Sequence, residues 1–470
     1  MKDGYESLTE EQKAEVDRLL DSENVEVKRC YTFDDTGNAQ RFFDKFGLNF
    51  RYNYVKKSWY YWNGKFWELV NDDVIHRAIN KSVDSMSDEL KFYQKEDDSD
   101  MEKNFSKHIK YSRSNKGKVS CKKEIMPLLP VTQKELDRHK WAFNCTNGII
   151  SLKKGHIVPH SRDYMITRSS DVEFDPNADC PVWRKFLCRI FGGDAEIIRY
   201  VQKSIGYSMS GDVGEQCAFF LYGNGRNGKS TFIEAIRGVM GSYAANIQPE
   251  SIMKKNYTSS ANSDIARLNS VRFVSCGEPD GAFIINEGLI KQLTGGDPVT
   301  ARRLYENEFE FIPEFKLWIA TNHKPIIRGT DDGIWRRVRL IPFTVQIPES
   351  EIDKALPDKL KVEYPGILNW MFQGFQMWMS EGLKTPSAIQ HAVDDYRREM
   401  DVVSAFIDEC CELSDGAFVK AAELFQSYSQ WADANKEYGM GHIRFGTEIS
   451  KRFQKIKNRD GIFYIGIKLV

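Results

Sequence analysis

The chain has 470 residues, 41% of them hydrophobic and 28% charged, with a net charge of −1. That length exceeds a single hydrophobic core and predicts roughly two to four domains; the near-neutral charge excludes a global polyanion-binding surface, so any nucleic-acid contact must rest on local patches. No apolar run is long enough to span a membrane and no signal peptide opens the chain; nine scattered cysteines without a C-x-x-C pair point to reduced thiols, a cytoplasmic setting and no zinc site.

The first ~25 residues are charged and predict a helix or loose chain. A helix should then run from Thr36-Gly37-Asn38 through Phe43. Lys57 to Leu69 places two aromatic strands around Asn63-Gly64, a strong hairpin signal. Its rings suit a hairpin packing on itself, or stacking on bases. The acidic Glu96–Asp100 segment and the basic stretch from Lys103 to Lys123 fit a solvated helix or loop, with phosphate contact as the alternative. A second turn, Asn147-Gly148, opens a small β unit that Lys154-Gly155 turns back, and Pro181 starts a helical segment.

Residues 223–230 spell G-N-G-R-N-G-K-S, a complete phosphate-binding loop, between the apolar run Ala218–Tyr222 and a helical stretch from Thr231. Glycines let the loop's N–H groups turn inward around an anion, and the helix start adds partial positive charge. Gly223, Asn224, Gly225, Arg226, Asn227, Gly228, Lys229, Ser230 and Thr231 are therefore the candidate nucleotide-binding residues, with Lys229 reaching the β/γ-phosphates and Ser230 holding Mg²⁺.

The apolar strand Val271–Cys276 ends at Gly277-Glu278. A carboxylate at such a strand end can activate water and hold Mg²⁺ through water, with Asp280 able to assist; a surface ion pair is the other use. The strand Phe315–Ala320 ends at Thr321-Asn322, where the amide can orient water or bond the γ-phosphate, or simply start the turn before Lys324-Pro325. Arg336 and Arg337 follow; in ring ATPases such an arginine completes a neighbour's site. Beyond the core, apolar spacing predicts helix over Glu351–Gly382. The tail predicts a helix from Ala421 to Ala434, another near Gly446 to Ile456, and a hairpin over Arg459–Leu469, the outline of a winged helix.

With these pieces in order, the chain resembles the superfamily III helicases of the AAA+ class, and among them the primase-helicases of phages, plasmids and poxviruses. The matching runs are G-N-G-R-N-G-K-S-T, S-C-G-E, I-K-Q-L-T-G-G-D-P-V-T-A-R-R-L-Y, F-K-L-W-I-A-T-N-H-K-P and G-I-W-R-R-V-R-L-I-P-F, with F-N-C-T-N-G-I-I-S-L upstream. The resemblance implies an α/β AAA+ P-loop core with a parallel sheet and flanking helices, a smaller α+β domain before it and a winged helix after it. It implies ATP and Mg²⁺ as cofactors and a homo-oligomer, with hexamer the expected ring. Lys229 and Ser230 would bind triphosphate and metal, Glu278 would activate water and share the metal, Asn322 would be the sensor, and Arg336 or Arg337 would act in trans. The family's channel hairpin maps to Arg302–Phe311, making Arg302, Arg303 and Tyr305 candidate DNA contacts despite the acidic tip Glu306-Asn307-Glu308; Lys451, Arg452 and Lys455 are the candidates in the tail.

The expected division is 1–135 as an accessory α+β domain, 136–205 as a β unit and helical linker, 206–345 as the ATPase core, 346–400 as helices completing the motor, and 401–470 as the winged helix. No strand-borne carboxylate set upstream suits a two-metal primase site, so a primase or polymerase would be a separate chain. The favoured function is a helicase translocating on single-stranded DNA and opening forked DNA during replication of a phage or mobile element in a bacterial cytoplasm. The alternatives are an ATP-gated origin-binding initiator or loader, and a small-molecule kinase, which would need no trans arginine.

Overall fold

The computed structural model describes residues 31–95, 99–254, 263–277, 281, 283–302, 308–329, 331–435, 437 and 439–470. The charged N-terminal residues 1–30, and Glu96, Asp97 and Asp98 of the acidic run, therefore lie outside the described residues.

The first body carries α1 (Asp35–Phe46), β1 (Phe50–Asn53), β2 (Ser58–Trp62), β3 (Trp67–Val70), α2 (Asp72–Asp84), α3 (Met86–Lys95), α4 (Ser99–Ser112) and α5 (Asn115–Ile125). The Asp34 carboxylate caps α1 by accepting from Gly37 N. The Asn63-Gly64 turn joins β2 to β3, and the Asn63 side chain accepts from Lys65 N and Phe66 N. The hairpin's aromatics face inward: Trp59 and Tyr61 pack with Phe42, Phe46 and Phe50 in one buried cluster, the self-packing use of those rings. The Lys103–Lys123 stretch falls on α4 and α5.

A small antiparallel sheet follows, β4 (Ala142–Cys145), β5 (Gly148–Ser151) and β6 (His156–Val158). The Asn147 side chain donates to Phe174 O and accepts from Phe174 N, tying its turn to the segment that leads into α6 (Pro181–Ile190) and α7 (Ala195–Ser208).

The central body comprises β7 (Ala218–Tyr222), α8 (Lys229–Met240), β8 (Ala244–Ile247), α9 (Ser263–Ala266), β9 (Phe273–Cys276), α10 (Glu287–Gly295), β10 (Val299–Arg302), β11 (Glu308–Phe311), β12 (Lys316–Thr321), α11 (Asp332–Trp335) and β13 (Val338–Pro342). Five strands form one all-parallel sheet in the order β13-β7-β12-β9-β8. Strand alternation divides its side chains between two layers. Phe219, Leu221, Trp318 and Ile341 join the core built with α6, α7 and α8, whereas Phe220, Leu317, Ile319 and Leu340 join the core that holds Ile290 and Tyr396. A sheet covered on both faces is the usual setting of parallel strands. Trp318 is fully buried between Phe219 and Phe273, so truncation to Ala would cost about 3–5 kcal/mol. β10 and β11 form a separate antiparallel hairpin inserted between β9 and β12.

The chain continues through α12 (Leu356–Val362), α13 (Tyr364–Glu381), α14 (Ser387–Glu399), α15 (Val402–Cys410), β14 (Cys411–Lys420), α16 (Ala421–Ala434), α17 (His442–Ser450), β15 (Gln454–Asn458) and β16 (Gly461–Leu469). The expected helix to Ile456 instead stops at Ser450. Asp460-Gly461 is the hairpin turn, so Gln454–Asn458 must be the preceding strand, paired with β16. No helix among the described residues is long and apolar enough to cross a membrane.

Candidate nucleotide site and its surroundings

The phosphate-loop sequence lies between β7 and α8, at the end of a strand flanked by β12 and β13. Two residues in it take left-handed backbone, Arg226 at φ 53 and Gly228 at φ 84. Gly228 has a steric reason as well: a Cβ there would stand 2.7 Å from Ile190 Cγ2. A Cβ at Gly223 would collide with Phe343 O, whereas one at Gly225 meets nothing within 4 Å. The loop thus closes tightly at its two ends and stays open in the middle, with Asn224, Gly225 and Arg226 exposed.

Its walls come from the chain after β13. Phe343 N donates to Tyr222 O at 2.7 Å, Ile347 N to Arg226 O at 2.8 Å, and Asn227 Nδ2 to Phe343 O at 3.3 Å. Asn227 Oδ1 accepts from Lys229 N at 3.4 Å. Sequence reasoning missed Phe343; the only signal was its position at the end of an apolar strand.

Lys229 is 2% exposed, and its amine donates to Gly223 O at 2.5 Å and to Asn322 Oδ1 at 2.8 Å. Asn322 follows β12, the strand beside β7, so the sheet brings two residues 93 positions apart to one point. Ser230 lies exposed at the first turn of α8, and Thr231 is half-buried beside it. The open cradle, the helix start and the aimed amine fit a polyphosphate. Among the described residues no group of three or more His, Cys, Asp or Glu side chains could hold a metal ion. Of the two expected Mg²⁺ ligands, Ser230 stands at the loop, where its hydroxyl would meet a phosphate-bound ion. Glu278 lies outside the described residues, as does Asp280; β9 runs toward them and ends at Cys276, whose thiol burial pushes up to about 12.

The two arginines after α11 separate sharply. Arg336 is exposed. Arg337 is 8% exposed; its Nε donates to Thr294 Oγ1 at 3.1 Å and its Nη1 to Gly333 O at 2.6 Å. Burial, and then the charge of Arg336, holds the Arg337 guanidinium below its ordinary value. Arg337 therefore braces α10 against α11 within its own chain, and of the pair Arg336 is the one free of that structural duty.

The segment between Asn322 and Arg336 is held by α14. Tyr396 Oη donates to Pro325 O, Lys324 pairs with Glu399 at 2.7 Å, and Arg397 pairs with Asp332 at 2.8 Å. The C-terminal body reaches the same segment through Arg444 Nη2 and Arg328 O at 2.6 Å.

Of the DNA candidates, Arg302 ends β10 and is half-buried, while Arg303 and Tyr305 lie outside the described residues. In the tail, Lys451 pairs with Glu448 at 2.8 Å and Arg452 with Asp401 at 2.6 Å. Lys455 is exposed on β15, so it alone of the three presents its charge outward without a salt bridge among the described residues.

Family models match three stretches: "D5 N terminal like" over residues 39–192, a family of unknown function (DUF5906) over 221–337, and "Poxvirus D5 protein-like" over 398–465. Among curated proteins the chain is 26% identical over 358 residues to the putative helicase L207/L206 of Acanthamoeba polyphaga mimivirus, covering 71% of this chain and 37% of that protein. It is 26% identical over 264 residues to the putative helicase 022R of Frog virus 3, covering 51% and 27%. It is 21% identical over 418 residues to the putative primase C962R of African swine fever virus, covering 79% and 43%. The chain thus spans about a quarter to two fifths of the length of these relatives. In structure it is similar to the A-form apo C-terminal region of NrS-1 (305–718), with a TM-score of 0.52 at 10% identity, covering 93% of this chain and 100% of that one. That likeness supports the mixed α/β architecture with its parallel five-stranded sheet. With D5-type segments at residues 39–192 and 398–465 and relatives named putative helicase or putative primase in large DNA viruses, the chain is similar to primase-helicases.

Proposed function

We propose that the chain is the ATP-driven motor of a ring-forming DNA helicase that serves replication of a virus or mobile element and translocates on single-stranded DNA. The observation that carries this reading is the bond from Lys229 Nζ to Asn322 Oδ1, made where β7 and β12 end side by side. β12 also separates β7 from β9, the strand that leads to Glu278. Two strand spacings, about 9.5 Å, separate β7 from β9, and Asn322 follows the strand between them. That is the division of labour expected of an AAA+ core.

ATP would supply the reactive anhydride, and Mg²⁺, held with the help of Ser230, would offset its negative charge. Lys229 and the loop N–H groups hold the phosphates, and Ser230 offers its hydroxyl to the metal. Glu278 takes the proton of the attacking water, and Asn322 orients that water. Arg336, exposed after α11, is the residue to reach a neighbour's site, and a hexamer is the ring expected from the resemblance to superfamily III helicases. The β10–β11 hairpin, with Arg302, Arg303 and Tyr305, would grip the strand in the channel. The C-terminal helices and three-stranded sheet would act as a winged helix on duplex DNA or a partner such as a primase, with Lys455 its outward charge.

The test is ATP hydrolysis with and without single-stranded DNA, run on protein of known oligomeric state. Stimulation by the strand, confined to the ring fraction, supports the motor; turnover indifferent to DNA and equal in monomers rejects it.

A further inference from the structure

We infer that a cleft between residues 138–141 and Tyr164 is a second binding site for single-stranded DNA, separate from the β10–β11 hairpin. The inference rests on the helicase reading above for its ligand. The cleft measures ≈ 400 Å³ and is lined by Arg138, His139, Lys140, Trp141, Lys154 and Tyr164. Cations that follow a backbone, interleaved with rings that accept any base, are what sequence-tolerant binding of a single strand requires.

The cations are disposed toward solvent. Arg138 and Lys154 are exposed and Lys140 is half-buried. None of the ion pairs among the described residues involves Arg138, Lys140 or Lys154. The acids nearby are Asp163, exposed next to Tyr164; Asp137, whose carboxylate accepts from Thr167 N and Oγ1; and Glu314, half-buried beside Lys140. Burial raises Glu314 above its ordinary value, against the pull of Arg272 and Lys140.

His139 and Tyr164 edge the cleft with centroids 5.1 Å apart and planes tilted by 53°. Burial, then the charge of Arg138, holds His139 below its ordinary value, so at neutral pH it presents an uncharged flat face. Lys153 already covers Trp141, its Nζ 3.9 Å from the ring centroid, so His139 and Tyr164 are the stacking pair.

The backbone under the cleft is fixed. His139 O accepts from Arg272 Nη2 at 3.1 Å, Lys140 O from Gly211 N at 2.8 Å, and Trp141 O from Leu152 N at 2.9 Å. Arg272 immediately precedes β9, and Lys316, which opens β12, donates to Asp212 O at 3.0 Å and to Glu314 O at 3.2 Å. The cleft is thereby tied to the starts of both strands that bracket the β10–β11 hairpin. Glu314 lies three residues beyond Phe311, where β11 ends.

The test measures binding of fluorescein-labelled oligo(dT) to the full chain across a salt series. Compared are Arg138→Ala/Lys140→Ala/Lys154→Ala, Tyr164→Ala and Tyr164→Phe, each with its thermal midpoint recorded. The triple variant is expected to lower the log–log salt slope by about 2, at roughly 0.7 per phosphate contact. Tyr164→Ala is expected to weaken binding roughly ten- to a hundredfold, with Tyr164→Phe unchanged. If the parent chain binds oligo(dT) and the folded triple and Tyr164→Ala variants bind as tightly with the same slope, the cleft is not the site and the helicase reading stands. If the parent chain hydrolyses ATP yet binds no oligo(dT), the helicase reading itself fails. Equal competition by duplex DNA of the same length would also overturn the single-strand assignment.

Discussion

Lys229 Nζ and Asn322 Oδ1 are hydrogen-bonded at 2.8 Å, the point at which the phosphate loop and the neighbouring strand meet. This contact gives Asn322 a role beyond that of a turn residue: it sets where the lysine's charge sits. Asn322→Ala should lower ATP turnover by about a hundredfold, the scale of losing one group that orients transition-state charge. Nucleotide affinity should stay within a few-fold, because Gly223 O still holds the amine. Steady-state turnover alongside fluorescent-nucleotide titration checks both, and undiminished turnover would return Asn322 to the turn.

Arg336 and Arg337 should fail in different ways. Arg337→Ala removes a buried guanidinium bonded to Thr294 and Gly333, and should destabilise the fold by about 2–3 kcal/mol, seen as a lower melting temperature. Arg336→Ala should leave melting unchanged and abolish most hydrolysis. Mixing Arg336→Ala with Lys229→Ala protein should restore part of it, at interfaces that pair an intact loop with an intact arginine. A single Arg336→Ala protein with full turnover would remove the trans assignment.

The loop glycines differ in what they tolerate. Gly228→Ala forces a Cβ against Ile190 at φ 84, and should cost about 1–3 kcal/mol and eliminate nucleotide binding. Gly225→Ala meets nothing within 4 Å and should fold as the parent does. Differential melting with and without ATP separates them; equal stability in the two variants would contradict the loop geometry.

The thiols should sort by burial. Cys217 and Cys276 are pushed up to about 12 by burial, so they remain protonated at pH 8 and even at pH 10. Cys188 is exposed. Alkylation of folded protein at pH 8 should mark Cys188 first, with Cys217 and Cys276 reacting only after denaturation; mass spectrometry of the digests reads the order.

The strand–loop–helix around residues 223–230 was legible because its signal is local: small residues and one lysine within eight positions between an apolar strand and a helix. The hairpin at Asn63-Gly64 was legible for the same reason. The sheet order was not, since β12 inserts between β7 and β9 through contacts that no local pattern encodes. Arg336 and Arg337 look alike in sequence; the difference is made by Thr294, 43 residues earlier. Nor does any local pattern show that Arg452, a candidate DNA contact, pairs with Asp401, 51 residues away. β14 escaped notice because its residues are mostly exposed and polar and its register with β16 shifts between Leu413 and Phe418, which erases the alternation that marks a strand.

The most direct test of the motor is ATP-dependent strand displacement on forked DNA, with hydrolysis followed in the same reactions and Lys229→Ala run beside the parent chain. The parent should displace one strand while consuming ATP, and the variant should do neither. Vigorous hydrolysis with no displacement from either arm of the fork would contradict the helicase account and favour an initiator or loader.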